Sequence, residues 1–201
     1  SQARDIYSEF ASVAFGIPTV KDRSPEDKKR RFVGKTCVLG LGYGMGARKL
    51  QATLRKDGVQ VDINEAMKYV GTYRDLYSNI PRLWRHFDNM LEIMARGGAL
   101  IKFGPVTLAD KKIILPNGMA IVYPNLRRVQ TDKYVGWVYD FAGEVRTLWG
   151  GKVTENVVQA LARILIMEYM LRIAHTIGLK PALQQHDELD YVVPAQYAEK
   201  V

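Results

Sequence analysis

Arg31, Lys35, Leu39 and Tyr43 recur every four residues and could do chemistry together. At about 100° per residue in an α-helix, each step drifts only about 40°, so the four form one stripe. A cationic end on that stripe can hold a triphosphate, while the Leu39 to Tyr43 end faces a sugar and a base. The same spacing also suits a plainer arrangement, with Arg31 and Lys35 as a solvated face and Leu39 and Tyr43 in the core. Gly40, Gly42, Gly44 and Gly46 crowd the far end of the stripe. Each costs about 1 kcal/mol relative to Ala in a helix interior, so packing or a ligand must hold this helix together. Carboxylates stand out in His186-Asp187-Glu188, between the runs Leu183 to Gln185 and Leu189 to Val193, which predict two strands around a tight turn. Taken alone, such a turn is a solvated hairpin. His186 has no companion at metal-ligand spacing, since His86 and His175 fall on other helices.

The glycines also admit a dinucleotide-binding reading. Gly42, Gly44 and Ala47 match G-x-G-x-x-A after an apolar run, and Asp62 closes the β-like run Val59-Gln60-Val61, placed to bind a ribose hydroxyl. That fold needs further β-α-β units, and the chain downstream gives long helices and then hairpins. An NAD-binding Rossmann protein is therefore kept only as an alternative.

The elements that must position these residues can be traced from end to end. Phe10, Val13 and Ala14 predict a short helix over Ile6 to Phe15, stopped by Gly16 and Pro18. Ser24-Pro25-Glu26-Asp27 is a helix start, with Ser as N-cap, Pro at the first helical position and acids in the first turn. That helix should run into the glycines. Apolar residues from Asp62 to Ala95 keep helical spacing around a break at Pro81, predicting two long helices. After Gly97-Gly98 come short β-like runs. Ile113 to Leu115 and Met119 to Tyr123 flank Pro116-Asn117-Gly118 as a hairpin, and Tyr134 to Phe141 is a further strand. Thr154 to Ile177 predicts a long helix with Val157, Val158, Leu161, Ile164, Leu165, Tyr169 and Ile173 on its apolar side.

The result is a helical half followed by an α+β half. With 201 residues, 47% of them apolar, the chain can bury a sizeable core, which excludes disorder. A formal charge of +8 favours a polyanionic partner over a basic one. The single cysteine, Cys37, fits a reducing compartment. Leu161 to Ile177, the most apolar long stretch, carries Arg163, Glu168, Arg172 and His175, so no membrane span is expected.

Three motifs carry a resemblance. Arg31-x-x-x-Lys35 followed by Tyr43-Gly44 is similar to the fingers-helix signature of family A DNA polymerases. Thr154-Glu155-Asn156-Val157-Val158-Gln159-Ala160 resembles the start of a palm helix in phage and bacterial members, and Gln185-His186-Asp187-Glu188-Leu189 resembles their H-D-E hairpin. Asp5 to Phe10 and Leu115 to Gly118 also resemble phage-type members, so the likeness covers nearly the whole chain. It implies an α+β fold, with helical fingers and a palm of short antiparallel strands and a catalytic hairpin. It divides the chain into 1–20, a helix leading from palm to fingers; 21–97, the fingers; and 98–201, the remainder with the palm hairpin.

The resemblance implies nucleotidyl transfer to a primer 3′ hydroxyl, with Asp187 as ligand to Mg2+ in a two-metal mechanism and Glu188 beside it. Arg31 and Lys35 would neutralise the incoming triphosphate, and Lys35 could protonate the leaving pyrophosphate. Tyr43 would stack near the templating base. Gly44 would let the template approach the helix backbone, Gln159 would read the minor groove near the primer end, and His186 would be structural or contact the primer terminus. Two departures are expected to matter. Position 39, where the family carries Phe or Tyr against the sugar, is Leu. The first catalytic carboxylate lies in a D-Y-S-like motif upstream of the segment matching Asp5 to Phe10, so the chain reads as fingers and part of a palm. Its expected partners are primer-template DNA and deoxynucleoside triphosphates, and, where the chain is one product of a split gene rather than a fragment, a second polypeptide with the remaining polymerase domains, in a bacterial or phage-infected cytoplasm. A non-catalytic DNA-binding module of the same fold is the other alternative.

Overall fold

A computed structural model describes residues 5–131 and 135–198 of the chain. Ile6–Phe15 forms α1, closed by Gly16 in the left-handed region (φ 68°). α2 spans Pro25–Leu41, and its N-cap Ser24 accepts a 3.1 Å hydrogen bond from the Asp27 N–H, as the Ser-Pro-Glu-Asp start predicts. α3 (Ala47–Lys56), α4 (Ile63–Leu76) and α5 (Asn79–Arg96) complete the helical half. The core of this half joins Phe10 and Ala14 of α1, Val33, Cys37 and Leu41 of α2, Leu50 and Leu54 of α3, and Tyr69 and Tyr73 of α4. α1 and α2 approach closely at Gly34, where an added Cβ would lie 2.3 Å from the Tyr7 carbonyl oxygen.

Two boundaries differ from expectation. The break between the long helices falls at Tyr77 and Ser78, and Pro81 sits inside α5. A first-turn N–H has no intrahelical acceptor, so proline there breaks nothing. Val59-Gln60-Val61 forms no strand, and Asp62 is the N-cap of α4, in a reciprocal capping box with Glu65. The glycine cluster follows a helix rather than a strand, and every strand pairing among the described residues is antiparallel. The dinucleotide-binding reading is thereby overturned, Asp62 having structural work of its own.

The second half is built on two antiparallel meanders. β1 (Ile101–Phe103), β2 (Val106–Ala109), β3 (Lys112–Ile114) and β4 (Ala120–Val122) pair in sequence order, with the Asn117-Gly118 turn between β3 and β4. Gly118 has φ 82°, which the turn requires. β5 (Arg127–Gln130), β6 (Val135–Phe141) and β7 (Glu144–Leu148) form the second meander. Tyr134, the first residue of the expected strand, lies outside the described residues. α6 follows over Gly150–Ile177, then the hairpin β8 (Leu183–Gln185) and β9 (Glu188–Asp190). The chain is thus mixed helix and antiparallel sheet, an α+β arrangement.

α5 and the start of α6 enclose the second core, with Phe87, Leu91 and Met94 against Val106, Leu108, Ile113, Tyr123, Val153 and Val157. At Gly150 an added Cβ would stand 1.8 Å from the Trp84 carbonyl oxygen, and the Gly150 N–H donates to Asp88 Oδ1 at 2.6 Å. This contact explains why α6 starts four residues before Thr154. Of the expected apolar side, Val157 is buried and Leu161 and Ile164 pack on the core, whereas Val158, Leu165 and Tyr169 are exposed. A 28-residue helix is about 42 Å long and outruns the layer it packs on. No helix among the described residues is long and apolar enough to cross a membrane.

Candidate functional site

The core-facing side of α2 is taken by Val33, Cys37 and Leu41, which leaves the stripe on the outside. Leu39 is 51% exposed and Tyr43 36%, so the arrangement that buries them is excluded. Lys35 is exposed on the same face. Arg31 is held: its Nε and Nη2 donate to the Asp5 carboxylate at 2.7 and 3.2 Å, and its guanidinium lies 5.2 Å from the Tyr7 ring centroid. Asp5 in turn sits below the usual carboxylate range because Arg31 bonds its charged form. Behind the stripe, burial pushes the Cys37 thiol up to about 12.

The stripe ends in a tight turn. Gly44 has φ 80°, and an added Cβ would fall 1.9 Å from the ring of Trp149, so the space beside its backbone is filled by an indole. Leu39, Tyr43 and Gly44 line a cleft of about 490 Å³ together with Lys49, Trp149, Lys152 and Glu155. Of these, Lys49, Trp149 and Lys152 were not singled out from sequence. Trp149-Gly150-Gly151, two residues short of the T-E-N motif, was the available signal.

Within T-E-N, two residues are structural. Thr154 Oγ1 donates to the Gly150 carbonyl at 2.9 Å, and Asn156 Nδ2 donates to the Tyr123 hydroxyl at 3.1 Å. Glu155 turns to the cleft, paired with Lys152 at 2.8 Å and accepting from Gln159 Nε2 at 3.4 Å.

Gln159 lines the next cleft along α6, about 570 Å³, with Arg163, Gln184, His186 and Asp187. Arg163 hydrogen-bonds Gln184, whose Nε2 donates to the His186 carbonyl at 3.2 Å, fastening the hairpin to α6. His186, at φ 50°, turns the chain so that Asp187 stands at the tip, exposed. Glu188 is paired opposite Gln185 and does not line this cleft. Arg31 and Lys35 line neither cleft. No group of three or more His, Cys, Asp or Glu that could hold a metal occurs among the described residues. The other histidines are elsewhere: His86 stacks on Phe103 at 4.4 Å, and His175 is in the last turn of α6.

No family model matches the chain. It is 24% identical over 205 aligned residues to the DNA polymerase of Bacillus phage SP02, an alignment that covers 94% of this chain and 30% of the phage protein. It is 25% identical over 204 aligned residues to DNA polymerase I of Helicobacter pylori, covering 98% of this chain and 18% of that protein. The chain spans less than a third of the length of these curated relatives. Its relationship to DNA polymerases is distant, and it runs along nearly all of the chain.

Proposed function

We propose that the chain is the fingers and part of the palm of a family A DNA polymerase of phage or bacterial type, and that it transfers nucleotides to a primer 3′ hydroxyl. One observation carries the reading. Leu39 and Tyr43, and some 120 to 145 positions later Gln159 and Asp187, border two clefts on α6 that are joined by the Glu155 to Gln159 hydrogen bond. The relatives' names supply the polymer, DNA, and hence its template and nucleotide precursors. In this reading residues 1–20 lead into the fingers at 21–97, and 98–201 form the remainder.

Lys35 and Arg31 bind the triphosphate, and Lys35 hands a proton to the leaving pyrophosphate. Leu39 contacts the sugar and Tyr43 the base. Gly44 admits Trp149 against its backbone, so template contact at this turn is through the indole. Gln159 meets the minor-groove edge of the primer end, and His186 supports the primer terminus. Mg2+ keeps several waters and takes one or two carboxylates plus substrate phosphates, which an exposed Asp187 beside an open cleft suits. Bound there, it would activate the primer hydroxyl and neutralise developing phosphate charge. Glu188, next to Asp187 on the hairpin and outside the cleft lining, has the weaker part at the metal. The facing carboxylate would come from the D-Y-S-like motif that the family carries upstream, whether on the same polypeptide or on another. Val158, Leu165, Tyr169, Leu171 and Ile177, exposed along α6, give the remaining polymerase domains an apolar surface to pack on.

The experiment is primer extension with magnesium and all four nucleotides, using the chain with and without a polypeptide bearing the upstream motif. Extension should need both, and Asp187→Asn should abolish it. The isolation of Asp187 in its cleft favours a second reading, a non-catalytic DNA-binding module. DNA binding with no extension under any supplementation would establish that one instead.

A further inference from the structure

A groove of about 640 Å³ opens in the helical half, between the first turns of α2, the end of α1 and the segment from α3 into α4, and it shares no lining residue with the clefts along α6. Its floor is apolar, made by Phe15, Phe32, Val33, Val59, Val61 and Tyr69. Val33 and Tyr69 belong to the buried core and Phe15 packs on Tyr69 with ring centroids 5.5 Å apart, whereas Phe32 is 37% exposed. Charge is divided between the walls. On α2, Lys28 and Lys29 are exposed; Lys28 meets Asp22 only at 3.9 Å, and Lys29 forms no ion pair with a described carboxylate. Arg30, beside them, is taken by Asp27 at 2.7 Å. Asp57 and Glu65 stand on the wall that α4 and the segment before it supply, Glu65 accepting from the Asp62 N–H.

Val59-Gln60-Val61, on the rim of this groove, has the alternation of a strand and no strand partner. The Val59 N–H donates to the Leu54 carbonyl at 2.9 Å, and the Val61 carbonyl accepts from Gln51 Nε2 at 3.0 Å. Between them, the N–H and carbonyl of exposed Gln60 bond no described residue. A free main-chain donor and acceptor beside an apolar floor suit an extended peptide, whose main chain supplies affinity while a side chain in the pocket supplies choice. The two lysines favour acidic flanks, through charge-assisted bonds, and Asp57 and Glu65 confine those flanks to the α2 side. A nucleic acid would answer the lysines and leave the apolar floor unfilled.

We propose that this groove docks an extended segment of a partner protein, with an aromatic or aliphatic side chain against Phe15, Phe32 and Tyr69, its main chain along Gln60, and acidic residues toward Lys28 and Lys29. Fluorescence anisotropy with the 201-residue chain tests it, using a fluorescein-labelled decapeptide in which Asp and Glu flank a Val-Phe-Val centre, at about 0.15 M salt. The peptide should bind saturably. Replacing its centre by Gly-Ser-Gly, its acids by Lys, or the amide hydrogens of its centre by methyl groups should each weaken binding at least about tenfold. On the protein, Lys28→Ala with Lys29→Ala should cost the same factor, and so should Phe32→Ala; all three positions are exposed, so these variants should fold. Lys112→Ala with Arg128→Ala, two exposed cations on the strands, should leave the affinity unchanged. Excess blunt-ended DNA duplex should leave the peptide bound; displacement would assign the lysines to DNA and overturn the proposal. Absence of saturable binding, or an affinity that survives the lysine and Phe32 changes, overturns it as well. Neither result touches the polymerase reading, which primer extension decides and which uses none of these residues.

Discussion

In the proposed polymerase reading Lys35 acts on the triphosphate and on the charge that develops as pyrophosphate leaves, since it stands on the stripe, outside the clefts on α6. Lys35→Ala in an extending assembly should therefore lower incorporation by orders of magnitude while DNA affinity changes little. Single-turnover incorporation and anisotropy read the two effects separately; equal losses in both would remove the role. Cys37 is the opposite case, a residue whose chemistry burial has suppressed. With the thiol pushed up to about 12, a disulfide reagent at pH 8 should leave the native chain unmodified and label one thiol after denaturation. Fast native labelling would mean that the α2 face is open. At this scale spacing put Arg31, Lys35, Leu39 and Tyr43 on one stripe but left open whether Leu39 and Tyr43 face solvent, which the packing of Val33, Cys37 and Leu41 decides. The sequence was mute about Trp149 and Lys152, whose place beside Tyr43 depends on how α6 crosses the α2 to α3 turn.

Elements carry the next scale, and their ends were read more reliably than their lengths. Ser24 and Gly118 announce their structures because cap and turn chemistry are local. Pro81 misled, since proline stops a helix in its interior and not in its first turn. α6 was foreshortened, because its true start is set by a tertiary contact at Gly150. Gly150→Ala should destabilise by more than about 2 kcal/mol, because the clash is with backbone that cannot rotate away. Gly71→Ala, with open space around it in mid α4, should instead stabilise by up to about 1 kcal/mol. Urea denaturation of the two variants gives both signs. Asp27, buried in the first turn of α2 between Arg23 at 2.5 Å and Arg30 at 2.7 Å, is held below the usual carboxylate range by those guanidinium bonds. A depressed carboxylate stabilises the fold above its ordinary value of about 3.9, and this contribution is lost as pH falls through the lower native value. The stability gap between the unaltered chain and Asp27→Asn should accordingly be constant near neutrality and shrink below pH 4; a gap independent of pH would show that Asp27 titrates alike in the folded and unfolded chain.

On the scale of the whole molecule, charge and exposed surface matter together. The chain carries 29 Lys and Arg against 21 Asp and Glu, and at least nine of the described ion pairs already occupy part of both sets. Lys49, Arg74 and Arg85, in none of those pairs, border the Tyr43 cleft or the groove that Arg74, Trp84 and Arg85 form on the other side of Gly44. A polyanion laid across these cations releases counterions, so affinity for a primer-template should fall linearly on a log-log plot against salt, with a slope of about −0.9 for each phosphate neutralised. If DNA follows the α2 turn and α6, replacing two of the three by Ala should flatten that slope by roughly 2, whichever sequence is bound. Replacing two exposed cations on the far strands, Lys112 and Arg128, should leave it unchanged. Titrations at four salt concentrations suffice, and an equal change of slope for both pairs would show that net charge, rather than this track of surface, binds the DNA.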